Sequence, residues 1–118
     1  MNLEIKKDLT SNWFKILQNA FCDDIVKLER NKLKFKSTVW KRSHKKDEGG
    51  GEFRLLQNGK IFEKVGVNFS KVYGKFPKQF QNNIPGAKKD PRFWASGISV
   101  VMHMKNPLMP AMHFNTRY

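Results

Sequence analysis

From Ser96 to Tyr118 the sequence reads SGISVVMHMKNPLMPAMHFNTRY, an apolar, strand-like stretch with one interruption. Asn106-Pro107 and Pro110 form the interruption, because proline has no N–H to donate to a strand ladder. The stretch predicts two antiparallel strands joined through NPLMP. Side chains alternate between the faces of a strand, so each face carries its own residue set. With Lys105 set against Ala111, His103 stands opposite His113, Val101 opposite Asn115, and Ser99 opposite Arg117. The even-numbered side, with Ile98, Val100, Met102, Met104, Met112, Phe114, Thr116 and Tyr118, is the predicted core face.

The odd-numbered side holds a hydroxyl, two imidazoles, an amide and a guanidinium. An ordinary solvated face uses lysine, glutamate and threonine freely. The arginine fork matches a planar carboxylate through two parallel hydrogen bonds, and an imidazole passes a proton near neutral pH. Two readings stand: a functional face for an anionic ligand, or a polar outer face with incidental histidines. On spacing alone, His103 and His113 are too few for a metal site, since no carboxylate or thiolate stands near them in sequence.

The other end of the chain has a different period. Trp13, Phe14, Leu17, Phe21, Ile25 and Leu28 recur at spacings near three and four, predicting helix from Asn2 to about Arg30 with that stripe in the core. Thr10, Ser11 and Asn12 could cap an internal start, so one long helix and a turn followed by a helix both fit. Cys22 lies in this pattern and reads as a small buried hydrophobe.

Between these ends, Leu33, Phe35, Ser37 and Val39 alternate with Lys32, Lys34 and Lys36, as in a half-buried strand. SHKKDEGGG, with His44, reads as a solvated loop, and its glycines 49–51 lack the lysine-serine tail of a phosphate loop. Asn58-Gly59 predicts a hairpin turn. In the strand after it, Val65, Val67 and Phe69 share one face, with Lys64, Asn68 and Ser70 on the other. PKQFQNNIPG is a short helix or turn, and AKKDPRF a loop. One helix followed by a run of antiparallel strands is an α+β arrangement, and residues 1–118 form a single domain.

Composition narrows the function classes. With 23 Lys+Arg against 10 Asp+Glu the net charge is +13, which favours anionic partners. Most of these cations are scattered lysines, and the dense cluster KRSHKKDEGGG carries no interleaved aromatics, which argues against nucleic acid as the partner. The single cysteine excludes an internal disulfide and fits a reducing, cytoplasmic setting. Acids and bases mix at MNLEIKKD, so no signal peptide is expected, and no apolar run is long enough to span a membrane.

Taken in series, GGGEFR, FEKVGVNFSKVYG and FWASGISVVMHMKNPLMPAMHFNTRY resemble the oxygen-dependent coproporphyrinogen-III oxidase family, over about Trp40 to Tyr118. The resemblance implies an oxidative decarboxylase of heme biosynthesis. Such an enzyme converts two propionates of the tetracarboxylate coproporphyrinogen III into the vinyl groups of protoporphyrinogen IX, with O2 as co-substrate and no required redox cofactor. Manganese is linked to some members, and others are regarded as metal-free. A cytoplasmic homodimer built on a large antiparallel sheet flanked by helices is implied as well. On the residues that match, Ser99 falls on the substrate-contacting serine, His103 on a proposed metal ligand, and His113 on the proton-donor histidine, a second candidate metal ligand. Asn115, Thr116 and Arg117 fall on the substrate-binding triplet. Family members continue beyond this sequence, so the chain corresponds to the N-terminal portion of such an enzyme. The alternatives are a catalytically inactive remnant and a basic nucleic-acid-binding module.

Overall fold

Asn2 starts the first helix: its Oδ1 accepts the N–H of Ile5 at 2.9 Å, satisfying one of the free amides of the first turn. A computed structural model describes residues 1–118. From Asn2 the chain runs without a break through α1 (Leu3–Glu29), so the helix is one piece and Thr10 and Ser11 lie within it. Their hydroxyls bond back to carbonyls of the preceding turn. Arg30 ends the helix in the left-handed conformation at φ 53°.

The remaining elements are β1 (Lys36–Lys41), β2 (Gly49–Gln57), β3 (Phe62–Lys75), α2 (Lys78–Gln81), β4 (Arg92–Met104) and β5 (Met112–Arg117). The strands form one antiparallel sheet in chain order β1-β2-β3-β4-β5, so the fold is α+β as expected. No helix is long and apolar enough to cross a membrane.

α1 packs on β3 and β4 and covers one face of the sheet. Beneath it lie Leu56, Val65, Val67, Phe69, Ile98 and Val100, which join Phe14, Cys22 and Ile25 of the helix in a single apolar cluster. The face that Val65, Val67 and Phe69 share is therefore the core face. The helix meets it along most of the expected stripe, without Trp13 and Leu28. Phe14 and Ile25 are buried and Leu17 and Phe21 pack beside them, but Trp13 and Leu28 are 54 % and 56 % exposed. Ile5, Leu9, Trp13 and Ile16 make a second apolar stripe on the outer side of α1. The inner stripe includes Ser11, Gln18 and Glu29, each buried.

Two of those polar residues hold the layers together. Gln18 Nε2 donates to the carbonyls of Glu52 (2.8 Å) and Val67 (3.1 Å). The Glu29 carboxylate accepts the backbone N–H groups of Lys60 (2.8 Å), Ile61 (3.0 Å) and Phe62 (2.7 Å), closing the turn between β2 and β3. Burial pushes the Glu29 carboxyl up, but these amides and the Asn31 side chain outweigh it and hold the group below the usual range. Asn58, at φ 61°, takes the left-handed position in that turn.

Three expectations change in the middle of the chain. β1 begins at Lys36, and Leu33 and Phe35 precede it as non-strand residues packed on the core. Val39, expected on their buried side, is 75 % exposed because the helix covers β3 and β4 and leaves the β1 edge bare. Glycines 49–51, expected in a loop, open β2 between β1 and β3. At Gly51 the Trp40 ring approaches so closely that a Cβ would lie 2.7 Å from Cζ2, so the glycine admits the indole to the sheet surface. The short helix falls at α2 within PKQFQNNIPG, and AKKDPRF gives up Arg92 and Phe93 to β4.

Candidate functional site

β4 and β5 pair as Gly97↔Arg117, Ser99↔Asn115 and Val101↔His113, a register two residues from the expected one. A shift of two keeps every side chain on its face, so Ser99, Val101, His103, His113, Asn115 and Arg117 still share the side away from α1. Their partners along the strands change: Ser99 stands beside Asn115, and Arg117 beside Gly97. The shift arises where β4 ends. The Lys105 N–H donates to Ile61 at 2.8 Å and Lys105 Nζ pairs with Glu63 at 3.2 Å, so this residue belongs to the β3 side. Asn106 then closes the turn by accepting the Leu108 N–H at 2.9 Å.

The helix-free face is ordered in rows across the strands. Phe53, Asn68, Ser99 and Asn115 form one row; Leu55, Gly66, Val101 and His113 form the next. Lys64 and His103 stand side by side in a third. Although no longer directly opposed, the two imidazoles meet on the diagonal: His103 Nε2 lies 3.2 Å from His113 Nε2, with ring centroids 5.4 Å apart. At that distance one ring donates and the other accepts, so the pair shares one N–H. His103, His113, Asn115 and Arg117 are exposed and Ser99 is half-buried. Thr116 is paired with Ile98 and points to the α1 side, apart from the other five residues. His44 is exposed on its loop.

Two features of the face were not anticipated. Trp40 Nε1 donates to Asn68 Oδ1 at 3.1 Å, and the Phe53 ring stands over Gly66, where a Cβ would lie 3.1 Å from the ring edge. A recess of about 300 Å³ opens beside that ring. Further along the same face, the Arg42 guanidinium lies 4.8 Å over Phe93, which stacks on Phe76 at 4.9 Å. The signal for Asn68 was present in the alternation of β3; its neighbour across the ladder was not, since that depends on the β3–β4 register.

His103 and His113 are the two metal-capable groups that converge, and no cluster of three or more His, Cys, Asp or Glu gathers in the chain. A divalent ion such as manganese takes a larger, oxygen-rich set, so the residues present do not by themselves fit one.

The geometry defines an α+β sheet protein whose central strands are covered on one face by a helix. The other face is open and presents hydroxyl, amide, imidazole and guanidinium groups in register. The family model described as coproporphyrinogen III oxidase matches residues 9–118, and the chain belongs to that family. Among its relatives are proteins named oxygen-dependent coproporphyrinogen-III oxidase. One from Rickettsia africae is 46 % identical, with all of this chain and 43 % of the relative aligned. One from Rickettsia akari is 47 % identical over 95 % of this chain and 42 % of the relative. A third, from Rickettsia typhi, is 47 % identical over 100 % and 43 %. The chain thus spans less than half the length of these relatives.

Proposed function

We propose that the helix-free face contributes to the active site of an oxygen-dependent coproporphyrinogen III oxidase. Coproporphyrinogen III carries four carboxylates and an electron-rich reduced macrocycle. In each half-reaction a propionate loses its carboxyl group as CO2 and a hydride equivalent from the chain carbon bonded to the pyrrole ring, leaving a vinyl group. Two such losses supply the electrons that reduce one O2 to two waters, with two protons taken up. The protein's part is to grip carboxylates, exclude competing orientations and move protons.

Each residue has a role in this reading. Arg117 offers a bidentate grip on a propionate. Ser99 and Asn115, adjacent across β4 and β5, orient the substrate by hydrogen bonds. Thr116 is left with a backbone or edge contribution, since its side chain faces α1. His113, exposed and hydrogen-bonded to His103, donates or accepts a proton at Nε2, and His103 relays it. A cytoplasmic homodimer completes the reading.

The observation that supports it most is the convergence of Ser99, His103, His113, Asn115 and Arg117 on one uncovered face. The experiment is O2-dependent conversion of coproporphyrinogen III to protoporphyrinogen IX. It is run with the chain alone and with the chain combined with the remaining part of a Rickettsia relative. Arg117→Lys is expected to lose most of the catalytic efficiency at unchanged folding, because an ammonium replaces a fork. His113→Ala is expected to lower turnover more than binding. Wild-type efficiency in Arg117→Lys overturns the carboxylate grip, and absence of both binding and turnover overturns the reading.

A further inference from the structure

An amide side chain has a donor end and an acceptor end, and its partner shows which is which. The indole N–H can only donate. Trp40 Nε1, 3.1 Å from Asn68, therefore fixes the atom it meets as Oδ1 and turns Nδ2 the other way. No buried side-chain polar atom in the chain lacks a partner, so this unpaired Nδ2 is open to solvent. Asn68 is the direct cross-strand neighbour of Ser99, and the two share a face. The recess of about 300 Å³ lies beside them: Gly66 and Val101 line it, Phe53 walls it, and Lys64 and His103 reach it from the next row. It is apolar in its lining and ringed by donors. That suits a short methylene chain ending in a carboxylate.

We propose that Asn68 is a substrate-binding residue, with Nδ2 and the Ser99 hydroxyl donating to one propionate carboxylate seated in this recess. Trp40 is its positioning residue. This rests on the reading of the helix-free face as a coproporphyrinogen site and adds a residue and a subsite to it. A side chain with its oxygen engaged by an indole N–H presents its donor end to whatever enters the recess, so the site selects an acceptor. Lys64 adds a positive charge of the sign a carboxylate requires.

The test uses the full chain and coproporphyrin III, the air-stable fluorescent tetracarboxylate, titrated against the unaltered protein and its variants. Asn68→Asp keeps an oxygen for the indole and removes the donor end, so binding is expected to weaken by about tenfold or more. Asn68→Ala is expected to weaken it less, because it adds no charge opposed to the ligand. The gap between the two variants should narrow with salt, which a merely structural role would not produce. Trp40→Phe keeps a ring and loses the N–H, and should fall between Asn68→Ala and the unaltered protein. A second readout needs no variant: the side-chain amide resonances of Asn68 in a 15N-labelled protein shift as coproporphyrin III is added. Unchanged affinity in Asn68→Asp beside a weakened Arg117→Lys overturns this inference and leaves the broader reading standing. The same holds if the Asn68 resonances stay fixed while those of Ser99 and Arg117 move. No binding of coproporphyrin III by the unaltered chain overturns both.

Discussion

Glu29, the last residue of α1, lies against Gly59 and accepts three successive amides from Lys60, Ile61 and Phe62. One buried carboxylate thereby fixes the helix C-terminus to the β2–β3 turn. Removing it leaves backbone donors without a partner, at a cost of about 1–3 kcal/mol for each group that stays buried. Glu29→Ala is expected to lower the unfolding free energy by at least about 2 kcal/mol, and Glu29→Gln by less, since one oxygen remains. Urea unfolding of the three proteins measures this. A midpoint unmoved in Glu29→Ala would show that the turn closes without the carboxylate.

The same residue sets an acid limit. Its folded value lies below the usual 4.5, so the ionised form is favoured by folding. The stability it contributes is complete above the unfolded value and is lost as pH falls from about 4.5 through the lower folded value. Unfolding free energy measured from neutral pH downward is expected to decline across that window, and Glu29→Gln to show a shallower decline. Parallel profiles for the two proteins count against the assignment.

Cys22 is buried on the inner face of α1. Burial pushes its thiol up, and the neighbouring Arg54 only partly offsets this. A thiol that stays protonated is a poor nucleophile. Labelling by a disulfide reagent at neutral pH is expected to be slow in the folded chain and fast in urea. Rapid labelling of the folded chain would place Cys22 in an open position.

The strand β5 is a sheet edge, and Met112, Phe114 and Tyr118 on its α1 side are each partly exposed. With Leu9, Trp13 and Ile16 on the outer side of α1, the chain shows two apolar surfaces to solvent. Surfaces of this kind associate. Sedimentation at rising micromolar concentration is expected to give masses above the 13.8 kDa monomer. Leu9→Glu with Trp13→Glu should reduce the association. A monodisperse monomer throughout the range would refute this.

Much of the fold was legible, and for a specific reason. Strand alternation has a period of two, so it assigns faces without knowing the partner. On that rule alone Val65, Val67 and Phe69 share one face, and Ser99, His113 and Arg117 share another; the packing of α1 makes the first the core and leaves the second open. Register was less legible, because it depends on where Lys105 sends its N–H. The helix was harder still. Its apolar residues form two opposite stripes, and periodicity does not say which one meets a sheet. The side that packs includes Gln18 and Glu29, whose fit depends on carbonyls and amides that other elements supply. Trp40 with Asn68 escaped notice for a related reason: the two residues are 28 positions apart, and their contact exists only once Gly51 lets the indole across β2.

Residues 103–111 lie between the last paired positions of β4 and β5, Met102 and Met112. They work as a vernier. An edit that slides β5 by one position inverts its phase, turning Phe114 outward and burying the guanidinium of Arg117 under α1. An edit that slides it by two keeps the phase and carries every group roughly 7 Å along the strand. That displacement would bring His113 directly opposite His103 and move Arg117 beside Ser99. The face would keep its composition while each residue acquired a different neighbour, so the length of this connection selects which donors act together.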